Sequence, residues 1–523
     1  MKLRIAVVPL GMLIVGMTMA FHPMLLSGFA HAQADPADSR LLNYVLEHGH
    51  RWLGGEGDLW NPNYFYPQRN AAAFSEVMLG LLPFYSLWRW AGLPPDSAFQ
   101  GWMLTMGALN YLAAWLFFRR ALSFGAPAAA FGAFLFSFGA SRLAQLGHQQ
   151  LLPHFFTVLA LHALVRLFQG ATPQQSRFWI AVFFASVTLQ IHSGVYHGWF
   201  LCFVLGLSLL WAMVLREQRE RLWSVVRLHP VAWVAGAVGM MLSLVPLAQP
   251  YLLAAREVGY RSFSEAEGML PRFQSWFHMG WQSWLYGWTA SLRPFRTLPM
   301  EWEHRLGLGA VTTVVMVVSL WRERHRPLVK LMVAVSVSAI LLVSYYRWGF
   351  SFWRGLFHLV PGANALRAVS RMGLLLLIPA SLGLAYFVER FHAHRRRWLV
   401  LLFAAVSVLE QGQRAGWHDK LSQRADVETL AARIPGGCEA FFYAPVQSAK
   451  SWEVTHLDAI WVAMLRGIPT VNGYSGNFPR GWEDLIHHNI TTPEDEQRLR
   501  SALGQWEQSH QLSEGSVCWV SAP

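Results

Sequence analysis

The sequence is dominated by apolar segments long enough to cross a lipid bilayer, separated by short polar turns. Of its 523 residues, 54% are hydrophobic and only 14% are charged, and 26 are tryptophan. A chain of this size with that composition has too few polar side chains to cover a soluble surface. We therefore expect a polytopic α-helical membrane protein.

About eleven segments are candidate membrane helices by the usual length rule, although several are shorter than the roughly 20 residues of a straight crossing. The first runs from Ile5 to about Phe29 and ends in AHAQA. A cleaved signal peptide is the alternative there, but the run is longer than the roughly 7–15 apolar residues of such a leader, so we expect a retained helix. The others are Phe99–Phe118, Ala126–Ala140, Leu151–Phe168, Phe178–Gln190, Trp199–Leu215, Val231–Leu253, Leu306–Leu320, Leu328–Tyr345, Met372–Val388 and Trp398–Val408.

The formal charge of +12 is distributed unevenly along the chain. Residues 31–97 carry seven acids against four arginines, and residues 411–523 carry thirteen acids against nine bases. This asymmetry follows the positive-inside rule and excludes a nucleic-acid-binding patch. It places 31–97 and the tail outside, and Phe74–Ala91 as a helix in the outer interface. Basic runs at cytoplasmic turns are Arg119–Arg120, Arg216/Arg219/Arg221, Arg322/Arg324/Arg326 and Arg395–Arg397.

Hydropathy falls after Glu410, which divides the chain into a membrane domain, 1–410, with an outer loop, 31–97, and a small outer α/β domain, 411–523. Short apolar runs predict strands at Ala440–Tyr443 and Val517–Val520. Thr492 and Pro493 predict a helix start, and Gly467 predicts the end of a helix over Trp452–Arg466. The next loop, Val471–Phe478, contains four residues that tolerate positive φ, and we expect it to have a fixed shape. It could close over the membrane cavity or pack on its own domain, and we favour packing.

The three cysteines have different expected environments. Cys202 lies in an apolar span and is predicted to be a small buried hydrophobe. Cys438 precedes the first predicted strand of the tail and Cys518 lies in the last. Pairing of those strands in an oxidising compartment predicts a disulfide between Cys438 and Cys518, with two reduced thiols as the alternative.

Polar residues on the predicted outer rim are the candidates for chemistry, because no Walker loop, GxSxG, HExxH or CxxC motif is present. Single such residues are weak signals, but several outer turns carry them. They are Asp35, Asp38, Glu76 and His148, followed by Arg367 and Arg371, which would share one face if their segment is α-helical.

The outer segment 254–305 is rich in both arginine and tryptophan, and its tryptophans include Trp281, Trp284 and Trp288. Indole faces and guanidinium forks suit a sugar phosphate. An interfacial aromatic belt with arginines on lipid headgroups explains the same pattern.

Several motifs resemble a group of bacterial membrane proteins related to the GT-C superfamily of polyprenyl-phosphate-dependent glycosyltransferases. They are LWNPNYFYP, FSEVMLG, AQLGHQQLLP, VPGANALRAVSRMG and GIPTVNGYSG. The resemblance implies a GT-C-like fold in which an acidic residue of the first outer loop is the catalytic base, and a sugar that arrives on a lipid phosphate. By position, Asp35 or Asp38 would be that base. No second acidic motif indicates a metal site, so the sequence does not specify whether a divalent cation is required. It also does not specify the donor sugar, the acceptor or the oligomeric state.

The leading hypothesis is an integral glycosyltransferase of the bacterial inner membrane, with a cytoplasmic N-terminus and a periplasmic tail. Its partners would be a polyprenyl phosphate-linked sugar and membrane lipid, and no nucleic acid. Glu76, His148, Arg367 and Arg371 would bind substrate, the cations by stabilising charge on the departing phosphate. A transporter is disfavoured because the spans are nearly free of acids. A non-enzymatic envelope assembly protein remains the other alternative.

Overall fold

A computed structural model describes residues 2–170, 172–392, 397–486, 489–513 and 515–521. Arg395 and Arg396 of the last predicted basic run lie outside the described residues. The elements up to residue 258 are α1 (Lys2–Leu26), β1 (His31–Gln33), α2 (Asp38–Leu53), α3 (Leu82–Trp90), α4 (Pro95–Leu116), α5 (Ala126–Phe138), α6 (Ala140–Leu143), α7 (Phe155–Phe168), α8 (Pro173–Ser193), α9 (Val195–Val214), α10 (Arg216–Leu228) and α11 (Pro230–Val258). The later ones are α12 (Phe263–Glu267), α13 (Arg293–Arg296), α14 (Ala310–Arg322), α15 (Pro327–Val343), α16 (Trp353–Leu359), α17 (Leu377–His392), α18 (Arg397–Leu409), β2 (Trp417–Asp419), α19 (Lys420–Arg433), β3 (Ala440–Tyr443), α20 (Trp452–Arg466), α21 (Pro493–Ser509) and β4 (Val517–Val520).

The chain is a multi-pass helical membrane protein, and each predicted crossing coincides with a helix. Among the described residues, six helical segments are long and apolar enough to cross a membrane, or seven if the bent pair Pro327–Val343 and Arg347–Leu359 is one span. The predicted eleven crossings are therefore not confirmed. The 13 residues of α5 or α14 extend only about 20 Å at 1.5 Å per residue, less than the roughly 30 Å of a bilayer core.

Two compact units make up the structure. The first comprises Met1–Leu25, Trp102–Leu244 and Arg261–Ala415, and the second comprises Leu26–Gly101, Val245–Tyr260 and Gly416–Pro523. One boundary between the two units lies between Ala415 and Gly416. The outer loop 31–97, however, which we assigned to the membrane domain, belongs to the second unit with the tail. The loop supplies part of one hydrophobic core of this unit, whereas a second core, which includes Phe441 and Val462, consists of tail residues alone.

In the first unit, α17 packs against both α5 and α14. A Cβ on Gly383 of α17 would lie 2.8 Å from the Cα of Met316 in α14, so only glycine permits this approach. On α9, Cys202 is exposed together with apolar side chains such as Leu210. The prediction that Cys202 is buried is therefore wrong, since an apolar helix can also present an apolar outer face.

The core of the second unit joins the outer loop to the tail. Tyr64, Phe65 and Phe74 of the loop pack with Trp482 and Trp506 of the tail. Two small sheets complete the unit. Strand β1 pairs antiparallel with β2, with His31 opposite Asp419, and β3 pairs parallel with β4, with Ala440 opposite Val517.

Local signals in the tail act as the sequence predicts. The strands lie at the predicted residues, and α20 ends at Gly467, whose φ is +68°. Thr492 caps α21 by accepting a hydrogen bond from the backbone of Asp495, and Pro493 is its first residue. A disulfide joins Cys438 and Cys518, whose Cα atoms are 5.8 Å apart.

The segment predicted as one interfacial helix, Phe74–Ala91, is interrupted. Two 3-10 turns, Ala71–Phe74 and Leu79–Leu81, precede α3, which has nine residues. Met78 adopts a left-handed conformation with φ of +52°, which breaks the helix before Leu79. The segment is therefore too short to cross a membrane, as the charge distribution requires.

Candidate functional site

Asp35 and Asp38, the two candidates for a catalytic base, lie at the start of α2 in different environments. Asp35 is exposed, and its Oδ1 accepts hydrogen bonds from the backbone N–H groups of Ala37 and Asp38, at 2.9 and 3.2 Å. This carboxylate satisfies donors at the helix start. Asp38 is half-buried, and its Oδ1 accepts a hydrogen bond of 2.7 Å from the Tyr474 hydroxyl. The structure thus separates a capping role for Asp35 from a side-chain contact of Asp38.

Tyr474 was not singled out from the sequence, although it lies in the loop predicted to be fixed. Burial and the nearby Asp38 carboxylate raise the pKa of Tyr474 well above its usual range, so its hydroxyl remains a donor. Its ring packs edge-on against Trp452, with the ring centroids 5.5 Å apart. One sequence signal could have identified Tyr474: it is the only ionisable residue of the VNGYSG run.

The loop Val471–Phe478 is held in place by hydrogen bonds and by close packing. The Asn472 side chain accepts from the Tyr443 N–H at 2.7 Å and donates to its carbonyl at 2.9 Å. A Cβ on Gly473 would lie 1.9 Å from the ring of Phe65. None of Asn472, Gly473, Ser475 and Gly476 has positive φ. The loop is fixed as predicted, but glycine is needed at 473 for close approach and not for its backbone angles.

Glu76 lies half-buried in the second unit, between the two 3-10 turns. The residues on either side of it, Ser75 and Val77, are hydrogen-bonded to Tyr251 of α11. The Tyr251 hydroxyl donates to the carbonyl of Ser75 at 2.9 Å and accepts from the N–H of Val77 at 3.2 Å. The backbone around the Glu76 carboxylate is therefore fixed.

His148 and Arg371, two of the predicted substrate-binding residues, meet in the first unit around Glu303. The Glu303 side chain is buried, and its carboxylate accepts hydrogen bonds from Nη2 and Nε of Arg371, at 2.7 and 3.2 Å. His148 Nε2 lies 3.7 Å from the same carboxylate, and the Ser370 hydroxyl donates to it at 3.2 Å. The sequence reasoning missed Glu303, which lies in the 3-10 turn Glu301–His304.

The charge state of Glu303 follows from these contacts. Burial alone would raise the pKa of Glu303, but the Arg371 guanidinium and the His148 imidazole hold it well below its usual range. The carboxylate is therefore ionised and neutralises one cation. When His148 is protonated, the group of His148, Glu303 and Arg371 carries one surplus positive charge.

Arg367 does not share a helix face with Arg371. A shared face for Arg367 and Arg371 required an α-helix, but Val369–Leu376 is a 3-10 helix, and Ala368 before it has a non-helical ψ of 73°. Arg367 is exposed, and its backbone N–H donates to the Tyr196 hydroxyl at 2.9 Å. The Tyr196 ring also lies 5.6 Å from the Arg371 guanidinium. The condition for a common arginine face, an α-helix over both residues, is therefore not met.

Trp281, Trp284 and Trp288 are exposed, as both interpretations of the 254–305 segment require. Within the described ranges, no group of three or more His, Cys, Asp or Glu side chains is placed to hold a metal ion.

Comparisons with known proteins identify the fold. No protein-family model and no curated protein sequence matches the chain. The oligosaccharyltransferase of Archaeoglobus fulgidus, complexed with zinc and sulfate, matches with a TM-score of 0.55 at 14% identity, over 95% of this chain and 66% of that one. The same enzyme tethered to an acceptor peptide gives 0.57 at 12% identity, over 95% and 68%.

The oligosaccharyltransferase AglB from Archaeoglobus fulgidus, in complex with an inhibitory peptide and a dolichol-phosphate, gives a TM-score of 0.50 at 12% identity, over 95% of this chain and 68% of that one. The chain thus spans about two thirds of the length of these oligosaccharyltransferase structures. At these identities the comparison establishes a fold shared with these oligosaccharyltransferase structures and nothing finer.

Proposed function

We propose that the chain is an integral membrane glycosyltransferase that moves a sugar from a polyprenyl phosphate donor to an envelope acceptor on the outer face of a bacterial inner membrane. The observation that carries the proposal is Asp38, a half-buried carboxylate that follows the first membrane helix of a GT-C fold and is held by Tyr474. A transferase of this kind needs a base for the acceptor hydroxyl and a lipid-linked donor, and no soluble nucleotide sugar.

Asp38 is the proposed general base. It takes the proton of the acceptor hydroxyl as that oxygen bonds to the anomeric carbon of the donor sugar. The bond between the anomeric carbon and the phosphate oxygen breaks, and the lipid phosphate leaves with the electron pair. The Tyr474 hydroxyl orients the Asp38 carboxylate by donating a hydrogen bond to Oδ1. Asp35 serves the start of α2, so we assign it no proton transfer.

The group of His148, Glu303 and Arg371 is the proposed phosphate-binding element of the first unit. Glu303 holds the Arg371 guanidinium in place, and a protonated His148 supplies the surplus positive charge that suits a lipid phosphate. AglB of Archaeoglobus fulgidus, whose fold the chain shares, forms a complex with a dolichol-phosphate, which supports a polyprenyl phosphate as partner. Exposed Arg367 would provide an outer contact for the same anion.

The test replaces each acid separately. A strain that lacks the chain is complemented with the parent sequence, Asp38→Asn or Asp35→Asn, and surface glycan and lipid-linked sugars are quantified. Asp38→Asn should lower glycan transfer by about 100-fold or more, the usual contribution of a general base. Lipid-linked donor should accumulate.

Asp35→Asn is the matched control, since it sits three residues away and retains a side-chain oxygen that can cap α2. It should keep most of the activity. Full glycan with Asp38→Asn, at parental protein levels, would refute the catalytic assignment. Full rescue by the Asp35→Asn/Asp38→Asn double variant would instead identify a non-enzymatic assembly protein.

A further inference from the structure

A cavity of about 300 Å³ lies in the second unit where α2 and α3 end. Glu47, His50, Arg51, Arg89 and Trp90 are among its lining residues. The 16 residues of α2 extend roughly 24 Å at 1.5 Å per residue, so the cavity and Asp38 lie at opposite ends of one helix. The cavity is therefore separate from the proposed base.

Fixed polar groups form the floor of this cavity. The Glu47 carboxylate is fully buried and accepts hydrogen bonds from Nε of Arg89 at 2.7 Å, the Tyr85 hydroxyl at 2.8 Å and Nε of Arg51 at 3.3 Å. Nδ1 of His50 lies 3.0 Å from the Ser86 hydroxyl. These contacts hold donors and acceptors in place before a ligand arrives, which lowers the entropic cost of binding.

One side of the cavity is formed by an exposed aromatic residue, Trp90. Trp90 is 68% exposed although it borders a polar cavity. The His50 and Trp90 rings are 6.1 Å apart at an interplanar angle of 63°, so they form a corner and not a stack. A sugar ring carries C–H groups on its faces and hydroxyls at its rim, which matches an indole beside fixed hydrogen-bonding groups.

The charges of the lining favour a neutral ligand over an anion. Arg51 and Arg89 share the Glu47 carboxylate, and Glu56 lies 4.0 Å from Arg51. Two cations thus face two carboxylates. Both α2 and α3 also end at the cavity, and the carbonyl pole of a helix C-terminus disfavours negative charge.

We propose that this cavity binds one neutral sugar unit of a glycan, with the indole of Trp90 against the ring and the floor groups on its hydroxyls. Its volume lies at the lower end of small-molecule sites, about 300–1,000 Å³, which suits a single ring. The inference goes beyond the proposed transfer and holds whether or not the chain moves a sugar.

The experiment uses the purified full-length chain in phosphatidylcholine nanodiscs, which avoids detergents with sugar headgroups. Saturation-transfer NMR is recorded with four probes at millimolar concentration: the methyl glycosides of glucose, galactose and mannose, and N-acetylglucosamine. At least one probe should receive saturation at its ring protons. Trp90→Ala should reduce that signal by about fivefold or more, and Trp90→Phe, which keeps an aromatic face, should restore most of it.

Trp52→Ala is the matched control, because Trp52 is also exposed, at 39%, near the end of α2 but does not line the cavity. It should leave the signal unchanged. Trp90 is mostly exposed, so its replacement should not alter the melting temperature. Absence of transfer to all four sugars, or an equal signal in parent and Trp90→Ala, overturns the proposal. Displacement of the sugar by inorganic phosphate would identify an anion site and overturn it as well.

Discussion

The guanidinium of Arg40 and the carboxylate of Asp458 form a buried ion pair at 2.7 Å, although 418 positions separate them in the sequence. Arg40 lies in the first turn of α2 and Asp458 in α20, so the pair joins the outer loop to the tail. Lys450 also contacts Asp458, at 2.8 Å. The second unit therefore depends on charges that distant segments supply to each other.

Removing Arg40 should destabilise this unit strongly. Arg40→Met leaves the Asp458 carboxylate buried with Lys450 as its remaining cation, so the cost should be at most the roughly 3–5 kcal/mol of a buried charge that loses its only partner. Thermal unfolding of the purified chain measures the loss. Arg498→Met is the control, because Arg498 pairs with Asp495 at an exposed site and should change little. Equal melting of the two variants would contradict a structural role for the buried pair.

Local structure could be predicted from the sequence because its causes act within a few residues. Thr492 and Pro493 specify the start of α21, and Gly467 specifies the end of α20. Strands β3 and β4 follow from short apolar runs. The apolar segments likewise located the helices of the membrane domain, although their lengths do not support eleven crossings.

Contacts between residues far apart in the sequence could not be predicted, because hydropathy and capping signals do not specify which loops pack together. Tyr474 reaches Asp38 across 436 positions, and Glu303 reaches Arg371 across 68. For the same reason, hydropathy did not show that Leu26–Gly101 forms one compact unit with the tail. The aromatic side chains of the outer loop suggested contact with the membrane surface. No local signal showed that they pack in a core with residues of the tail.

Gly473→Ala should destabilise the second unit although alanine is only one methyl group larger. The added Cβ would meet the ring of Phe65, which is itself enclosed and packs edge-on against Trp482 with ring centroids 4.8 Å apart. Overpacking of this kind costs about 1–3 kcal/mol. Gly504→Ala, inside α21 with open space around it, should instead stabilise by about 0.5–1 kcal/mol. Opposite shifts of the melting temperature are expected, and shifts of one sign would be inconsistent with this packing.

Glu301 should make stability depend on pH. Burial would raise its pKa, but hydrogen bonds from His278 and Arg305 lower it from 4.5 to about 2. Because the folded pKa is below the unfolded one, the stabilisation, about 3 kcal/mol, is present above pH 4.5 and is lost as pH falls toward 2. The stability difference between the parent chain and Glu301→Gln should shrink by about 1 kcal/mol between pH 6 and pH 3.5. A difference that stays constant over this range would refute the assignment.

The Cys438–Cys518 disulfide closes a loop of 80 positions. The chain-entropy model gives about 4 kcal/mol for a loop of that length, so the Cys438→Ser/Cys518→Ser double variant should unfold at a clearly lower temperature. Thiol labelling of denatured, unreduced protein should find Cys202 as the reactive cysteine. Labelling of all three cysteines would contradict both the bridge and the outer placement of the tail.

The coupling between Glu303 and Arg371 can be measured with a double-mutant cycle. Arg371→Gln leaves a buried carboxylate and Glu303→Gln leaves a buried guanidinium, so each single change should cost about 3–5 kcal/mol of unfolding free energy. The double variant removes both charges and should cost less than the sum, with a coupling of about 2 kcal/mol. Arg367→Gln, at an exposed position of the same segment, should have little effect. Additive losses would mean that Glu303 does not hold Arg371, and the proposed phosphate-binding group would lose its basis.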